Sequence, residues 1–234
     1  MGYERVLFDN LLVNNGVVEF REKKVKLSSG KYSNFYINVR KILDNVATLD
    51  ELRLNINVWY KHLKPDYFLG VAEGMTRLGI IMNYQKAREN LPKYKDYFPK
   101  GHPEKYPLPM ARGRIKKHGN KKDMYFLGDI KGNVVVLEDV LTTGDSTIKL
   151  VKNLRKNDAD VLAVIGVVDR LELRKDGLSV AEKFSKLDVD YYSMTDVKTL
   201  LPLACERLKP SEDLIKKINR HYKKYGSEEV KINI

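Results

Sequence analysis

The stretch that most limits what this chain can fold into is Val134-Val135-Val136-Leu137-Glu138-Asp139-Val140-Leu141-Thr142-Thr143-Gly144-Asp145-Ser146-Thr147. Its apolar, β-branched start predicts a strand buried on both faces. Two adjacent carboxylates end that run, and a short Thr/Gly turn follows. Residues 146–156 then carry Ile148, Val151 and Leu154 at helical spacing. A strand apolar on both faces needs helices above and below it. Val161 through Val168 and Tyr67 through Ala72 repeat the pattern, and Tyr191–Met194 adds a further strand. Further helical periodicity lies before and after them, over residues 48–63 (Leu52, Ile56, Trp59, Leu63) and near 211–223. The expectation is an α/β fold with a largely parallel central sheet flanked by helices.

The N-terminal segment reads differently. Leu7, Phe8, Leu11 and Leu12 predict an opening helix over 4–13. Val17–Phe20 and Lys24–Leu27 read as short strands, Ser28–Lys31 as a turn, and Phe35–Val39 as resumed extended structure. Residues 92–109 hold five of the eight prolines. Proline lacks the N–H that a helix or central strand needs, so this stretch predicts a long excursion of the functional or mobile kind. Three regions follow: a helix and small hood at 1–40, a core at 41–210 interrupted by a Pro/Lys-rich excursion and mobile loop at 85–125, and a C-terminal helix and tail at 211–234.

Composition excludes some classes. Hydrophobic residues make up 43% of 234, enough for an ordinary core. No apolar run is long enough to span a bilayer. Met1-Gly2-Tyr3-Glu4-Arg5 leads into an amphipathic segment with no signal-peptide pattern, and Cys205 stands alone, which suits a reducing compartment. A soluble, cytoplasmic protein with no membrane partner is expected. The formal charge of +12 asks for an anionic partner or merely keeps the surface soluble.

The chemistry concentrates where the acidic strand ends. Open α/β sheets bind ligands beyond the carboxyl ends of their strands. Backbone N–H groups at the turn and helix start can hold a phosphate, aided by the hydroxyls of Thr142, Thr143 and Ser146, with Gly144 allowing close approach. The Gly-Lys-Ser/Thr ending of a nucleotide-hydrolase loop is missing. An ordinary strand–turn–helix with a cap would explain the hydroxyls. It would not explain Glu138 beside Asp139, two carboxylates expected to repel each other unless they face a ligand. The segment closely resembles the signature of the type I phosphoribosyltransferases. In that family the acidic pair contacts the ribose hydroxyls of 5-phosphoribosyl-1-pyrophosphate, and the loop, here Thr142–Ser146 including Asp145, holds its 5′-phosphate.

Three further segments narrow the resemblance to the orotate phosphoribosyltransferases, and a fourth matches a pyrophosphate loop. Lys26 through Tyr36, containing Ser29-Gly30-Lys31, is similar to the N-terminal element lining that family's base pocket, which implies a role for Tyr36; by itself it reads as a hairpin turn. Arg112-Gly113-Arg114-Ile115-Lys116-Lys117-His118-Gly119 resembles the mobile catalytic loop, with Arg112, Lys116, His118 and Gly119 on matching positions. Gly113 stands where Lys is frequent and Lys117 where Asp is frequent; alone, the segment reads as a solvated basic loop. Asp169-Arg170-Leu171-Glu172 resembles the element whose Arg binds the orotate carboxylate, the other reading being a surface salt bridge between Arg170 and Glu172. Gly70–Thr76 matches the loop that cradles pyrophosphate, implying roles for Glu73 and Gly74, although Gly74 replaces a Lys found in some members, as Ser28 does. Residues 85–108 are an expansion without a match.

The resemblance implies displacement of pyrophosphate from the ribose C1 by N1 of orotate. Glu138 and Asp139 would favour cationic character on the ribose, while Lys116, His118 and Arg112 act on the leaving group and Lys117 joins the substrate-binding residues. Mg²⁺ would be the cofactor, carried in on pyrophosphate with no protein-based metal site. It also implies a homodimer with shared active sites. A phosphoribosyltransferase of another base, or a nucleotide- or RNA-binding regulator with the same fold, is the competing reading, with nucleic acid the disfavoured partner.

Overall fold

A computed structural model describes residues 2–90, 106–114, 116, 118 and 124–233. Most of the proline-rich stretch, together with Lys117 and Gly119, lies outside them. In chain order the elements are α1 (Gly2–Asn14), β1 (Val18–Lys26), β2 (Tyr32–Ile37), α2 (Arg40–Leu43), α3 (Val46–Trp59), β3 (Tyr67–Gly70), α4 (Thr76–Asn90), β4 (Met110–Ala111), β5 (Phe126–Leu127), β6 (Gly132–Leu141), α5 (Asp145–Arg155), β7 (Ala159–Asp169), α6 (Val180–Ser185), β8 (Asp190–Asp196), α7 (Val197–Leu208) and α8 (Glu212–Tyr225). A four-stranded sheet has the order β3-β6-β7-β8, and β3 pairs with β6 in parallel, Tyr67 opposite Val134 through Gly70 opposite Leu137. This is the expected α/β architecture with a parallel sheet flanked by helices. Val134 through Leu137 are all buried, as two-sided coverage requires.

Two compact units divide the chain, and neither is one continuous stretch. One comprises Met1–Thr48, Asp139–Asp145 and Ile165–Ile234; the other comprises Leu49–Glu138 and Ser146–Val164.

In the first unit β1 and β2 form an antiparallel pair. The two short strands expected over 17–27 are one strand with a bulge. Phe20 opposes Phe35 and Val25 opposes Ser33, so β1 carries extra residues in between. Buried Asn34 reaches into the bulge and donates to the carbonyls of Arg21 (3.0 Å) and Glu22 (3.1 Å), which the ladder leaves unpaired. Helix α8 is set by its sequence. Ser211 caps it by accepting from the Leu214 N–H, Glu212 and Asp213 occupy its first turn, and Lys223 and Lys224 its last. Its apolar stripe of Leu214, Ile215, Ile218 and Tyr222 is buried, with Tyr222 stacked on Phe35 of β2.

In the second unit α3 ends at Trp59, four residues before the predicted limit, while Leu52 and Ile56 occupy the core as expected. Helix α4 was not anticipated, and it makes residues 85–90 of the expected excursion helical. Its buried face includes Asn83, whose amide donates to the Phe68 carbonyl (2.8 Å) and accepts from the Phe68 N–H (2.7 Å). A polar residue satisfied by the edge of β3 interrupts the apolar period that would have announced the helix.

Candidate active site

Strand β6 carries Glu138 and Asp139 at its end. Consecutive strand residues point to opposite faces, so the repulsion expected between the two carboxylates is relieved by the pleat itself. Glu138 is buried and accepts a 2.6 Å hydrogen bond from the Thr147 hydroxyl, which is fully buried in the first turns of α5. Asp139 is half-buried, and its Oδ1 accepts from the Val140 N–H at 2.8 Å. Glu138 therefore has a structural partner that sequence reasoning did not supply.

The turn after β6 adopts the predicted form. Gly144 sits at φ +65°, the left-handed region that favours glycine. Thr142 is buried and Thr143 half-buried, while Asp145 and Ser146 are exposed where α5 begins. The Thr143 hydroxyl donates to Asp145 Oδ2 at 2.8 Å. Arg174, missed from the sequence, donates to the Thr143 carbonyl and, at 2.9 Å, to Asp145 Oδ1. Nothing in Leu173-Arg174-Lys175 distinguishes it from a solvated charge run.

In the second unit, residues 71–75 turn tightly from β3 into α4. The Val71 N–H donates to the Leu137 carbonyl (2.8 Å) and the Met75 N–H to the Val71 carbonyl (3.0 Å). A side chain at Gly70 would place its Cβ 1.9 Å from the Met75 carbonyl oxygen, so this turn requires glycine at the strand end. The Ala72–Glu73 peptide is cis, with Glu73 exposed and Gly74 half-buried. Strands β4 and β5 form the base of a hairpin, with the Arg112 N–H on the Tyr125 carbonyl (2.8 Å) and the Lys116 N–H on the Met124 carbonyl (3.0 Å). Lys116 and His118 are exposed on this crossing. At Gly113 a Cβ would lie 3.1 Å from Glu73 Oε1, so the hairpin base approaches the 71–75 turn. A cavity of about 190 Å³ between them is bounded by Ala72, Arg112, Gly113, Ser146 and Lys149. Lys149 of α5, a second cation missed from the sequence, is solvent-exposed at its edge.

Arg170 does form the ion pair with Glu172 that the sequence offered as a surface contact, but the pair is buried. Each residue is 1% exposed. The guanidinium meets Glu172 Oε1 at 2.8–2.9 Å, donates to the Ser33 hydroxyl at 3.2 Å, and lies 4.1 Å over the Phe35 ring. Lys31 (3.1 Å) and His221 (3.2 Å) complete the shell around Glu172. Burial pushes the Glu172 carboxyl upward, but the His221 hydrogen bond and the charges of Arg170 and Lys31 outweigh it, and its pKa falls to about 2. Asp169 goes the other way. Burial raises it, against hydrogen bonds from the Leu171 N–H and the Tyr191 hydroxyl, both 2.7 Å. Strand alternation puts Tyr36 on the face of β2 opposite Ser33 and Phe35, where its hydroxyl accepts from Arg40 at 3.1 Å. The structure thus brings Lys31, Ser33 and Phe35 to Arg170, and does not bring Tyr36 there. A larger cavity of this unit, about 1150 Å³, is bounded by Ser29, Lys31, Thr143, Arg174, His221 and Lys224.

Comparison with known proteins gives these features a family. No protein-family model matches the chain. The orotate phosphoribosyltransferase of Pyrococcus horikoshii is 30% identical over 173 residues, covering 72% of this chain and 81% of its own length. That of Methanocaldococcus jannaschii is 30% identical over 195 residues, covering 82% and 93%. The crystal structure of the Francisella tularensis orotate phosphoribosyltransferase superposes with a TM-score of 0.63 at 21% identity, covering 94% of this chain and all of that one, and so shares the fold. With this identity sustained over most of both lengths, the chain belongs to the orotate phosphoribosyltransferase family.

Proposed function

We propose that this protein transfers the phosphoribosyl group of 5-phosphoribosyl-1-pyrophosphate to N1 of orotate, giving orotidine 5′-monophosphate and pyrophosphate for pyrimidine biosynthesis. The observation that carries the reading is the end of β6, where two carboxylates on opposite faces run into a glycine turn and the start of α5. Adenine and hypoxanthine lack the carboxylate that orotate presents to a cation, and Arg170 is the guanidinium of the matching element. In the described conformation Arg170 is held by Glu172, so orotate would have to share or displace that partner.

The transition state develops positive charge on the ribose and negative charge on the leaving pyrophosphate. Asp139, half-exposed at the strand end, would face the ribose hydroxyls, with Glu138 held in register by Thr147. Backbone N–H groups at the start of α5 would hold the 5′-phosphate. The 71–75 turn would bind pyrophosphate, and Arg112, Lys116 and His118 would neutralise it and keep out water that would otherwise hydrolyse the cation. Mg²⁺ is compatible with these residues because, carried in on the phosphate oxygens, it needs at most one or two carboxylates from the protein. Bound there, it would offset charge on the leaving group. The working form would be a cytoplasmic homodimer; among the described residues no helix is long and apolar enough to cross a membrane.

Thermal unfolding tests the class of ligand. A ligand present at 100 times its Kd stabilises by about 2.7 kcal/mol. Phosphoribosyl pyrophosphate with Mg²⁺ should raise the midpoint accordingly, while a single-stranded RNA should not. Stabilisation by RNA alone would replace the transferase reading with that of a nucleic-acid-binding regulator.

A further inference from the structure

The phosphate loop contains a residue of the wrong sign. Asp145 occupies the first turn of α5, the position where a bound phosphate dianion would sit against the helix N-terminus. A carboxylate there repels that dianion and can take the helix N–H groups for itself. The structure disposes of both difficulties. Arg174 donates to Oδ1 at 2.9 Å, and the Thr143 hydroxyl donates to Oδ2 at 2.8 Å. Among the described residues, neither oxygen accepts a backbone N–H of α5. Arg174 also donates to the Thr143 carbonyl, so one guanidinium grips the loop at two points.

Arg174 is built for this. Its side chain is 10% exposed, against 70% for Asp145, and its Nε lies 3.3 Å from Asp176, which Lys183 of α6 holds at 3.1 Å. The backbone around it is a closed turn, with its N–H on the Leu178 carbonyl (2.9 Å) and its carbonyl accepting from the Gly177 N–H (3.1 Å). A planar, permanently charged fork suits this two-point contact better than a lysine would.

We propose that Arg174 is a positioning residue of the phosphate loop, which neutralises Asp145 and turns its carboxylate away from the helix N–H groups so that they bind the 5′-phosphate. The proposal rests on the reading of residues 142–145 as the phosphate loop. It gives Asp145 the role of a compensated charge rather than of a substrate ligand.

Calorimetric binding of ribose 5-phosphate tests it without reliance on turnover. Arg174→Ala should weaken binding roughly tenfold or more through uncompensated like charge. Adding Asp145→Asn to that variant should recover most of the loss, and Asp145→Asn alone should tighten binding. Arg174→Lys should recover part, since it restores charge but not the grip on the Thr143 carbonyl. A double variant as weak as Arg174→Ala would overturn the proposal, because the loss would then not run through the charge of Asp145. Unchanged binding by Arg174→Ala would overturn it as well. If Arg174→Ala does not fold, a failure of Asp145→Asn to tighten binding would count against the proposal by itself. Wild-type protein that binds neither ribose 5-phosphate nor phosphoribosyl pyrophosphate would instead remove the phosphate-loop reading, and the proposal with it.

Discussion

The Thr147 hydroxyl donates a 2.6 Å hydrogen bond to the Glu138 carboxylate, fastening α5 to the strand that feeds it. Both groups are buried, so removing one partner leaves the other unsatisfied. Thr147→Val should cost about 1–3 kcal/mol of stability. Glu138→Gln keeps an acceptor for Thr147, and Asp139→Asn keeps one for the Val140 N–H. The double variant Glu138→Gln, Asp139→Asn should therefore stay folded by circular dichroism while turnover falls at least roughly a hundredfold through lost electrostatic stabilisation. Unfolding of that variant at ordinary temperature would make the carboxylates structural.

Lys116 and His118 are exposed on the crossing between β4 and β5. Surface positions without special partners change stability by less than about 0.5 kcal/mol. Lys116→Ala and His118→Ala should leave the urea midpoint in place while lowering kcat by roughly a hundredfold or more for the lysine. A stability loss that accounts for the lost activity would argue against a role in chemistry.

Glu172 links the buried cluster to pH. Its folded pKa of about 2 lies below the ordinary 4.5, so the stability it contributes is complete above pH 4.5 and is lost as pH falls through 2. Glu172→Gln should lose on the order of 3 kcal/mol at pH 7, because Arg170 and Lys31 keep their charges in a buried site. Its urea midpoint should also respond less to acid between pH 4.5 and 2 than that of the wild type. Parallel pH profiles for the two proteins would show that the cluster does not hold the Glu172 proton affinity down.

How much of this was legible in the sequence depended on where the determining partner lay. Val134–Leu137 and the Ile148, Val151, Leu154 stripe declared β6 and α5 because burial follows local periodicity. Gly144 and the acidic pair pointed to the candidate site because their chemistry is compressed into seven residues. Helix α4 stayed hidden because Asn83 breaks its apolar face and is satisfied by Phe68, fifteen residues away. The buried state of Arg170 depends on Ser33 and Phe35, more than a hundred residues earlier, and the role of Arg174 depends on Asp145. Contacts of that range leave no periodic trace.

The proposed homodimer makes a specific demand if its basic hairpin acts on the neighbouring subunit. Lys116→Ala spoils a donated hairpin and Asp139→Asn spoils a receiving pocket. After subunit exchange, a mixed dimer has one intact hairpin facing one intact pocket and should regain up to roughly half of the sites. Background activity despite demonstrated exchange would confine each hairpin to its own subunit and leave the transfer chemistry untouched.

The most direct measurement is spectrophotometric consumption of orotate by the purified protein with phosphoribosyl pyrophosphate, with and without Mg²⁺. The account predicts loss of orotate with matching formation of orotidine 5′-monophosphate and pyrophosphate, dependence on Mg²⁺, and slow reaction of uracil, adenine and hypoxanthine under the same conditions. Faster reaction with adenine or hypoxanthine than with orotate would contradict it.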